Sequence, residues 1–183
     1  DIDDFLRICK ENDKICFVTI RTTNISKVCE KLIEKVKYYG METRTIVNSL
    51  VLDSLKTLRS YEESDDIAIN YIHTMSQPIT TALVDICKEM GKCFLSVWCN
   101  DTPSVITNSK EAIEYAKSKD VPILAGSIGS LAMWQTCISN GIIGSQIYKP
   151  IFDVTPKSHR FTVTVSNGTA TLGNLFASDR FVA

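Results

Sequence analysis

Residues 67–98, IAINYIHTMSQPITTALVDICKEMGKCFLSVW, hold the pattern that decides the fold. Residues 67–72 and 93–98 are almost continuously apolar, as strands buried on both faces of a sheet are. Between them, residues 79–90 follow a helical pattern that ends at Gly91, a common helix terminator. Two strands joined through a helix of this length lie parallel, with a right-handed crossover. The stretch therefore predicts one strand–helix–strand unit.

The same alternation extends over residues 1–150. Further strands are predicted at residues 14–20, 43–47, 121–125 and 142–147, and further helices at residues 1–11, between Asn24 and Gly40, and at residues 51–61, 109–118 and 131–138. Such a series forms a barrel or a doubly wound sheet. No G-x-G-x-x-G motif follows a strand, which counts against a dinucleotide-binding sheet. A complete barrel has about 250 residues, so the prediction is an α/β fold with a partial TIM-type (β/α) barrel.

The pattern changes after Pro156. Phe161, Val163 and Val165 alternate with hydroxyl-bearing residues, and Asn167-Gly168 is a strong signal for a tight hairpin turn. We therefore divide the chain into a barrel segment, residues 1–152, which lacks the first strands, and residues 153–183, a β-hairpin extension or the start of a β-rich module.

The composition excludes several classes of partner. The chain has 183 residues, 20 Lys and Arg against 21 Asp and Glu, and a net charge of −1, so it has no basic field for nucleic acid. No apolar run approaches the roughly 20 residues of a membrane span. The seven cysteines lie among apolar neighbours without a C-x-x-C pair, which predicts reduced core thiols and favours a reducing compartment or a virion.

Three segments carry motifs in a fixed order. Residues 1–21 end in a strand with the tetrapeptide Val18-Thr19-Ile20-Arg21. Residues 49–72 contain a helix with the pattern L-x-x-L-R between two strands. Residues 82–101 contain a helix, a glycine and then a strand with the pattern V-W-x-N. Residues 141–150 are weakly like a closing G-I-I-T-D strand. The ordered set resembles the glycerophosphodiester phosphodiesterase family, whose I-E-I-K motif aligns with the tetrapeptide.

The resemblance implies a metal-dependent phosphodiesterase. In the family a divalent cation is held by carboxylates, and two histidines perform acid and base work on the first strands, which this chain is predicted to lack. At the remaining carboxylate position stands Thr19, whose neutral hydroxyl is a poor ligand for a hard cation. Arg21 replaces the motif's Lys and keeps a positive charge with a fork that fits phosphate. The resemblance thus implies that no catalytic or metal-ligating residue remains in the chain.

Four residues are predicted to contact a ligand at the barrel mouth: Arg21, His73, Trp98 and Asn100. His73 follows a strand at the end where barrel active sites lie, although a solvated loop histidine has the same pattern. Trp98 is either a stacking wall for a glycerol or sugar unit or a core residue. Asp101 is either a metal ligand or part of a turn with Asn100, and the turn is favoured.

The glycine cluster at residues 126–130 precedes a predicted helix. Its backbone N–H groups could bind an anion at the helix N-terminus, or the segment could simply form a turn.

These observations predict a degenerate glycerophosphodiester phosphodiesterase-like module with a binding or architectural role. A phage tail or cell-surface protein that contacts glycerol-phosphate polymers is the suggested setting. The alternative is a metal-dependent glycerophosphodiester phosphodiesterase whose catalytic N-terminal strands lie outside this chain. No cofactor is expected in the chain, while Ca²⁺ or Mg²⁺ would be needed by an active full-length protein. Because open parallel sheet edges are costly to expose, a homo-oligomer or a larger assembly is expected.

Overall fold

The computed structural model describes residues 1–21 and 24–147. Within them, six parallel strands lie side by side in sequence order: β1 (Cys16–Thr19), β2 (Thr45–Ser49), β3 (Ala68–Ile72), β4 (Cys93–Trp98), β5 (Ile123–Ile128) and β6 (Gly144–Ile147). A doubly wound sheet would reverse its strand order at a switch point, and this order has no reversal. The chain is therefore an α/β protein with a partial TIM-type barrel, as predicted.

Helices occupy the connections between the strands. They are α1 (Ile2–Glu11), α2 (Ile25–Tyr39), α3 (Leu52–Arg59), α4 (Thr81–Met90), α5 (Pro103–Asn108), α6 (Lys110–Ser118) and α7 (Leu131–Ser139), with short 3-10 turns at Glu42–Arg44 and Glu62–Ser64. Among the described residues, no helix is both long enough and apolar enough to cross a membrane.

Several element bounds differ from the predicted ones by one or two residues, and three differences matter for the site. The 3-10 turn at Glu42–Arg44 delays the start of β2 to Thr45. Strand β5 continues through Ile128, so part of the glycine cluster is strand rather than loop. Helix α5 was not predicted, because its start was interpreted only as a turn, and Pro103 in fact occupies its first turn. The predicted β-hairpin and the boundary at residues 152 and 153 lie outside the described residues and stay predictions.

The main core lies between the sheet and the helices. Its most completely buried side chains include Leu6, Val36, Leu55, Leu58, Ile69, Leu95 and Met133. All seven cysteines are buried and free, as predicted. Cys16 of β1, for example, interacts with Cys9 of α1, and this burial raises the pKa of Cys16 to about 12. Such strand-to-helix contacts identify the helix-facing side of each strand.

Arg59, the arginine of the L-x-x-L-R pattern, fixes two turns at the N-terminal end of the sheet. Its guanidinium donates hydrogen bonds to the carbonyl oxygens of Ser64 (2.7 Å), Ile67 (3.1 Å), Met90 (2.9 Å) and Gly91 (2.9 Å). Burial lowers the pKa of Arg59. The side chain therefore satisfies four backbone acceptors in the connections that lead into β3 and β4.

We expect Arg59→Met to lower the free energy of unfolding by about 2–4 kcal/mol, because it leaves several backbone acceptors unpaired. The matched variant Arg7→Met removes an arginine that makes exposed ion pairs with Asp4 and Glu11 on α1. It should cost less than about 1 kcal/mol. Urea denaturation followed by circular dichroism measures both values, and equal losses would contradict the assigned role.

Candidate functional site

The side of the sheet that faces away from the helices carries the candidate site. Side chains alternate along a strand, and register partners on neighbouring strands share a face. Cys93 and Cys99 interact with helix residues Cys87 and Cys137, so the residues that alternate with them on β4 face the opposite, concave side. These are Phe94, Ser96 and Trp98.

Three polar side chains form a hydrogen-bonded row on this concave face. Asn48 and Asn70 are register partners on β2 and β3. The amide of Asn70 donates to Asn48 Oδ1 at 2.8 Å, and its Oδ1 accepts from Ser96 Oγ at 2.9 Å. All three residues are almost fully buried. Because their polar groups are paired with one another, this polar row is a structural support beneath the more exposed groups at the strand ends.

Thr19 extends the polar row to the first strand. It is the register partner of Asn48 and is exposed. The residues on the concave face of β1–β5 carry amide, hydroxyl, indole and apolar side chains, without a carboxylate among them. No group of three or more His, Cys, Asp or Glu side chains that could hold a metal ion occurs in the described residues. The face can thus offer neutral hydrogen-bonding groups to a ligand.

Trp98 lies at the C-terminal end of β4 against a glycine. Its register partner is Gly126, and a Cβ placed on that glycine would lie 3.7 Å from the indole Cδ1. The side chain is half-buried, while the indole N–H is buried and has no hydrogen-bond partner in the described part of the chain. An unpaired buried donor costs about 1–3 kcal/mol. Trp98 is therefore a position where a hydrogen-bond acceptor would be stabilising.

Arg21 lies at the exposed end of β1 beside three lysines. The N–H of Ile20 donates to the carbonyl of Asn48 at 2.9 Å, so the ladder continues to the residue before Arg21. A mainly apolar groove of about 530 Å³ runs between β1 and α2, and Thr19 and Arg21 line it together with Lys27, Lys31 and Lys35. Lys31 and Lys35 form ion pairs with acidic neighbours. Among the residues that line this groove, Arg21 and Lys27 therefore have no acidic partner among the ion pairs described.

Asn100 and Asp101 form the turn that follows Trp98. Both adopt left-handed backbone conformations, with φ of 48° and 55°, which Asn and Asp tolerate better than most residues. The Asp101 carboxylate accepts hydrogen bonds from the N–H of Gly129 at 2.9 Å and from the Ser130 hydroxyl at 3.4 Å. The Asp101 carboxylate therefore lies at the start of α7. At this position the sequence leaves two interpretations open, an external anion or a simple turn. This arrangement supports a turn role for Asp101.

Asn100 is exposed at the mouth, where its amide contacts the sulfur of Met75 at 3.2 Å.

His73 lies on the other side of the sheet from the polar row. The backbone N–H of His73 donates to the carbonyl of Ser96 at 3.0 Å, so His73 continues β3 by one residue. The imidazole ring lies 6.2 Å from the ring of Tyr71. Tyr71 interacts with Cys87 of α4, which marks the helix-facing side. Burial lowers the pKa of His73, an effect that the carbonyl of Pro78 opposes. The contact between His73 and a ligand stays a prediction. The position of His73 on the helix-facing side does not favour a ligand that contacts both His73 and Trp98.

The structure thus places Thr19, Trp98 and Asn100 at the C-terminal ends of β1 and β4, with Arg21 just beyond β1. Sequence reasoning missed the residues beneath them, Asn48, Asn70 and Ser96. A signal was present, because an amide inside the run IAINYI is unusual for a buried parallel strand. The hydrogen-bond partner of this amide on the next strand could not be named from local sequence.

The fold is similar to that of solved glycerophosphodiester phosphodiesterase structures. A structure from Parabacteroides distasonis ATCC 8503 aligns with a TM-score of 0.62 and 12% identity, over 80% of this chain and 58% of that one. Two proteins assigned to the same activity give TM-scores of 0.64 and 0.62. The one from Galdieria sulphuraria is 14% identical over 79% of this chain and 58% of its own. The one from Silicibacter pomeroyi DSS-3 is 15% identical over 80% of this chain and 52% of its own.

These similarities confirm a glycerophosphodiester phosphodiesterase-like fold. The chain spans between one half and three fifths of the length of these structures. No protein-family model matches the sequence, and no curated protein matches it either.

We expect Asn70→Ala to destabilise the fold by about 2–3 kcal/mol, since it removes two hydrogen bonds and leaves Asn48 and Ser96 unpaired. Ser96→Ala removes one bond at the end of the row and should cost about 1 kcal/mol. The matched control, Asn108→Ala on the exposed end of α5, should stay within about 0.5 kcal/mol. Chemical denaturation reports the three values. An Asn70→Ala loss no larger than the control would show that the row does not support the sheet.

Proposed function

We propose that the chain is a degenerate glycerophosphodiester phosphodiesterase-like module that binds a phosphodiester ligand without cleaving it. The observation that carries this proposal is the chemistry of the concave face of β1–β5, which has neutral polar groups and no carboxylate. Phosphodiester hydrolysis of the family's kind needs a cation to neutralise developing charge, and carboxylates to hold that cation. Thr19 stands where the resemblance expects the carboxylate of β1.

The exposed groups at the strand ends suit a ligand that is anionic at one point and polyhydroxylated elsewhere. Arg21 offers a planar fork to a phosphate, and Lys27 of α2 adds positive charge beside it. Trp98 offers the accessible part of its half-buried indole face. A glycerol phosphate unit combines these requirements, because its phosphate is charged and its glycerol carries hydroxyl groups.

The setting that we propose is a phage tail or cell-surface protein that contacts glycerol-phosphate polymers such as teichoic acids. Repeated units in such a polymer would raise the effective concentration of ligand at a weak site. A module that binds the polymer without hydrolysing it is compatible with adhesion.

A second candidate is a metal-dependent glycerophosphodiester phosphodiesterase whose catalytic strands lie outside this chain. The similarity to longer structures of this class favours it. Thr19 argues against full activity, because the completed site would still lack one carboxylate. Any Ca²⁺ or Mg²⁺ would then be held chiefly by residues that this sequence does not contain.

We predict that glycerophosphodiesters or teichoic acid change the fluorescence of Trp98. The chain has two tryptophans, and Trp134 is only 2% exposed. The ligand-dependent change should therefore persist in Trp134→Phe and disappear in Trp98→Phe. Arg21→Gln should weaken binding by about ten- to a hundredfold, since a charge-assisted hydrogen bond contributes about 1.5–3 kcal/mol. Arg7→Gln, on exposed α1, is the matched control and should bind normally.

Absence of binding at millimolar ligand, measured by fluorescence and by calorimetry, would remove the binding proposal. Hydrolysis of the same diester, with Ca²⁺ or Mg²⁺, by a longer protein that contains this chain and supplies the missing strands would instead favour the enzyme.

We also propose that the chain associates through its sheet edges. In the described residues, β1 and β6 each pair with a neighbour on one side. Phe5, Ile15 and Phe17, on α1 and around β1, are between 38% and 47% exposed. Unpaired strand edges with nearby apolar side chains promote association. Sedimentation velocity should therefore detect a dimer or a larger species, and a stable, well-folded monomer at all concentrations would contradict this.

A further inference from the structure

Met75 is the most exposed of the four methionines in the chain. It is 49% exposed, whereas Met41 and Met133 are 0% and 2% exposed and Met90 is half-buried. Met75 lies in the loop that joins β3 to α4, at the C-terminal end of the sheet. Oxidation of a methionine needs contact between its sulfur and the oxidant, so Met75 is the methionine that a dissolved oxidant reaches first.

Backbone hydrogen bonds hold the loop that carries Met75 against β4. The N–H of Ser76 donates to the carbonyl of Trp98 at 2.7 Å, and the N–H of Gln77 donates to the carbonyl of Thr74 at 3.2 Å. Ser76 has a φ of 59°, a left-handed conformation that is uncommon for a residue other than glycine. These bonds fix the backbone on both sides of Met75, so the fold defines where its side chain lies.

The sulfur of Met75 contacts a side chain that the fold also fixes. Asn100 Nδ2 donates to the sulfur at 3.2 Å. The backbone N–H of Asn100 donates to the carbonyl of Gly126 at 3.4 Å, which holds the residue at the end of β4. A thioether sulfur is only a weak acceptor. An oxygen atom added to this sulfur would give the amide of Asn100 a much stronger acceptor within its reach.

We propose that Met75 is a site of reversible oxidation, at which a hydroperoxide converts the thioether to a sulfoxide whose oxygen binds the amide of Asn100. Hydrogen peroxide is the simplest oxidant of this class. The sulfur attacks one oxygen of the peroxide, an S–O bond forms and the O–O bond breaks. The departing hydroxide takes up the proton of the transferred oxygen and leaves as water. The sulfur loses two electrons, and the peroxide gains them.

The oxidation has a consequence for the ligand groups at the strand ends. Asn100 is one of the predicted ligand contacts, and a sulfoxide that binds its amide competes with the ligand for the same N–H groups. Oxidation of Met75 therefore lowers the affinity of the mouth for a ligand. This consequence rests on the proposed function, whereas the modification of Met75 does not.

The test of the modification treats the whole chain with hydrogen peroxide, then with catalase, and follows the methionines by peptide mass spectrometry. Met75 should gain one oxygen at least about ten times faster than Met41 and Met133, because a buried sulfur reacts only when the structure opens locally. Methionine sulfoxide reductases for the two epimers should together remove this oxygen. Oxidation of Met41, Met90 or Met133 at the rate of Met75 would overturn the proposal.

Nuclear magnetic resonance tests the contact with Asn100 in the absence of a ligand. Oxidation should shift the side-chain amide signals of Asn100, while those of Asn12 and Asn140, whose amides bind backbone carbonyls of their own helices, should stay in place. Met75→Leu conserves the side-chain volume and should abolish the shift, and the matched control Met90→Leu should retain it. Unchanged Asn100 signals in a chain with oxidised Met75 would contradict the assigned contact.

Ligand affinity gives the last readout. Oxidation should weaken the binding of a glycerophosphodiester about three- to tenfold, the value of one ordinary hydrogen bond. Met75→Leu should remove this effect, and so should Asn100→Gly, because glycine adopts the φ of 48° at this position without strain. Equal affinities before and after oxidation would overturn the competition for Asn100.

The two proposals fail in different ways. Absence of binding by the untreated chain would contradict the proposed function, and the mass map and the Asn100 signals would still decide the modification.

Discussion

The parallel register of β1 to β4 is the constraint on which the candidate site depends. Partners in register share a face, so the pairing of Thr19 with Asn48, and of Asn48 with Asn70, places three polar residues in line across the sheet. A shift by one residue would exchange the two faces of a strand. It would move the amides into the apolar layer under the helices, and it would bring cysteines such as Cys93 onto the concave face.

Charged side chains stabilise the connections at both ends of this sheet. At the N-terminal end, Arg59 binds the carbonyls of the turns before β3 and β4. At the C-terminal end, Asp101 accepts the N–H of Gly129 at the start of α7. An intramolecular carboxylate thereby fills a helix N-terminus that would otherwise attract an anion. Both side chains bind backbone groups of other loops, and this fixes the turns at the two ends of the sheet.

The two ends of β4 have different surroundings. In β/α barrels the C-terminal end of the sheet carries function, and the N-terminal end contributes stability. Trp98 follows that rule as a candidate ligand contact. Cys93, at the other end of the same strand, lines a pocket beside the turn whose carbonyls Arg59 binds.

The sequence by itself determined the α/β class and the order of the elements, because hydrophobic periodicity and helix termini are local properties. That Thr19 stands in place of a carboxylate stays an expectation from the resemblance. The sequence also located Arg21, Trp98 and Asn100 near strand ends. Only the tertiary structure decided which face each residue occupies: it joined Asn48, Asn70 and Ser96 into one row, turned His73 toward the helices and buried the cysteines. These contacts link residues far apart in the chain, and strand register and helix packing, which local sequence does not encode, determine them.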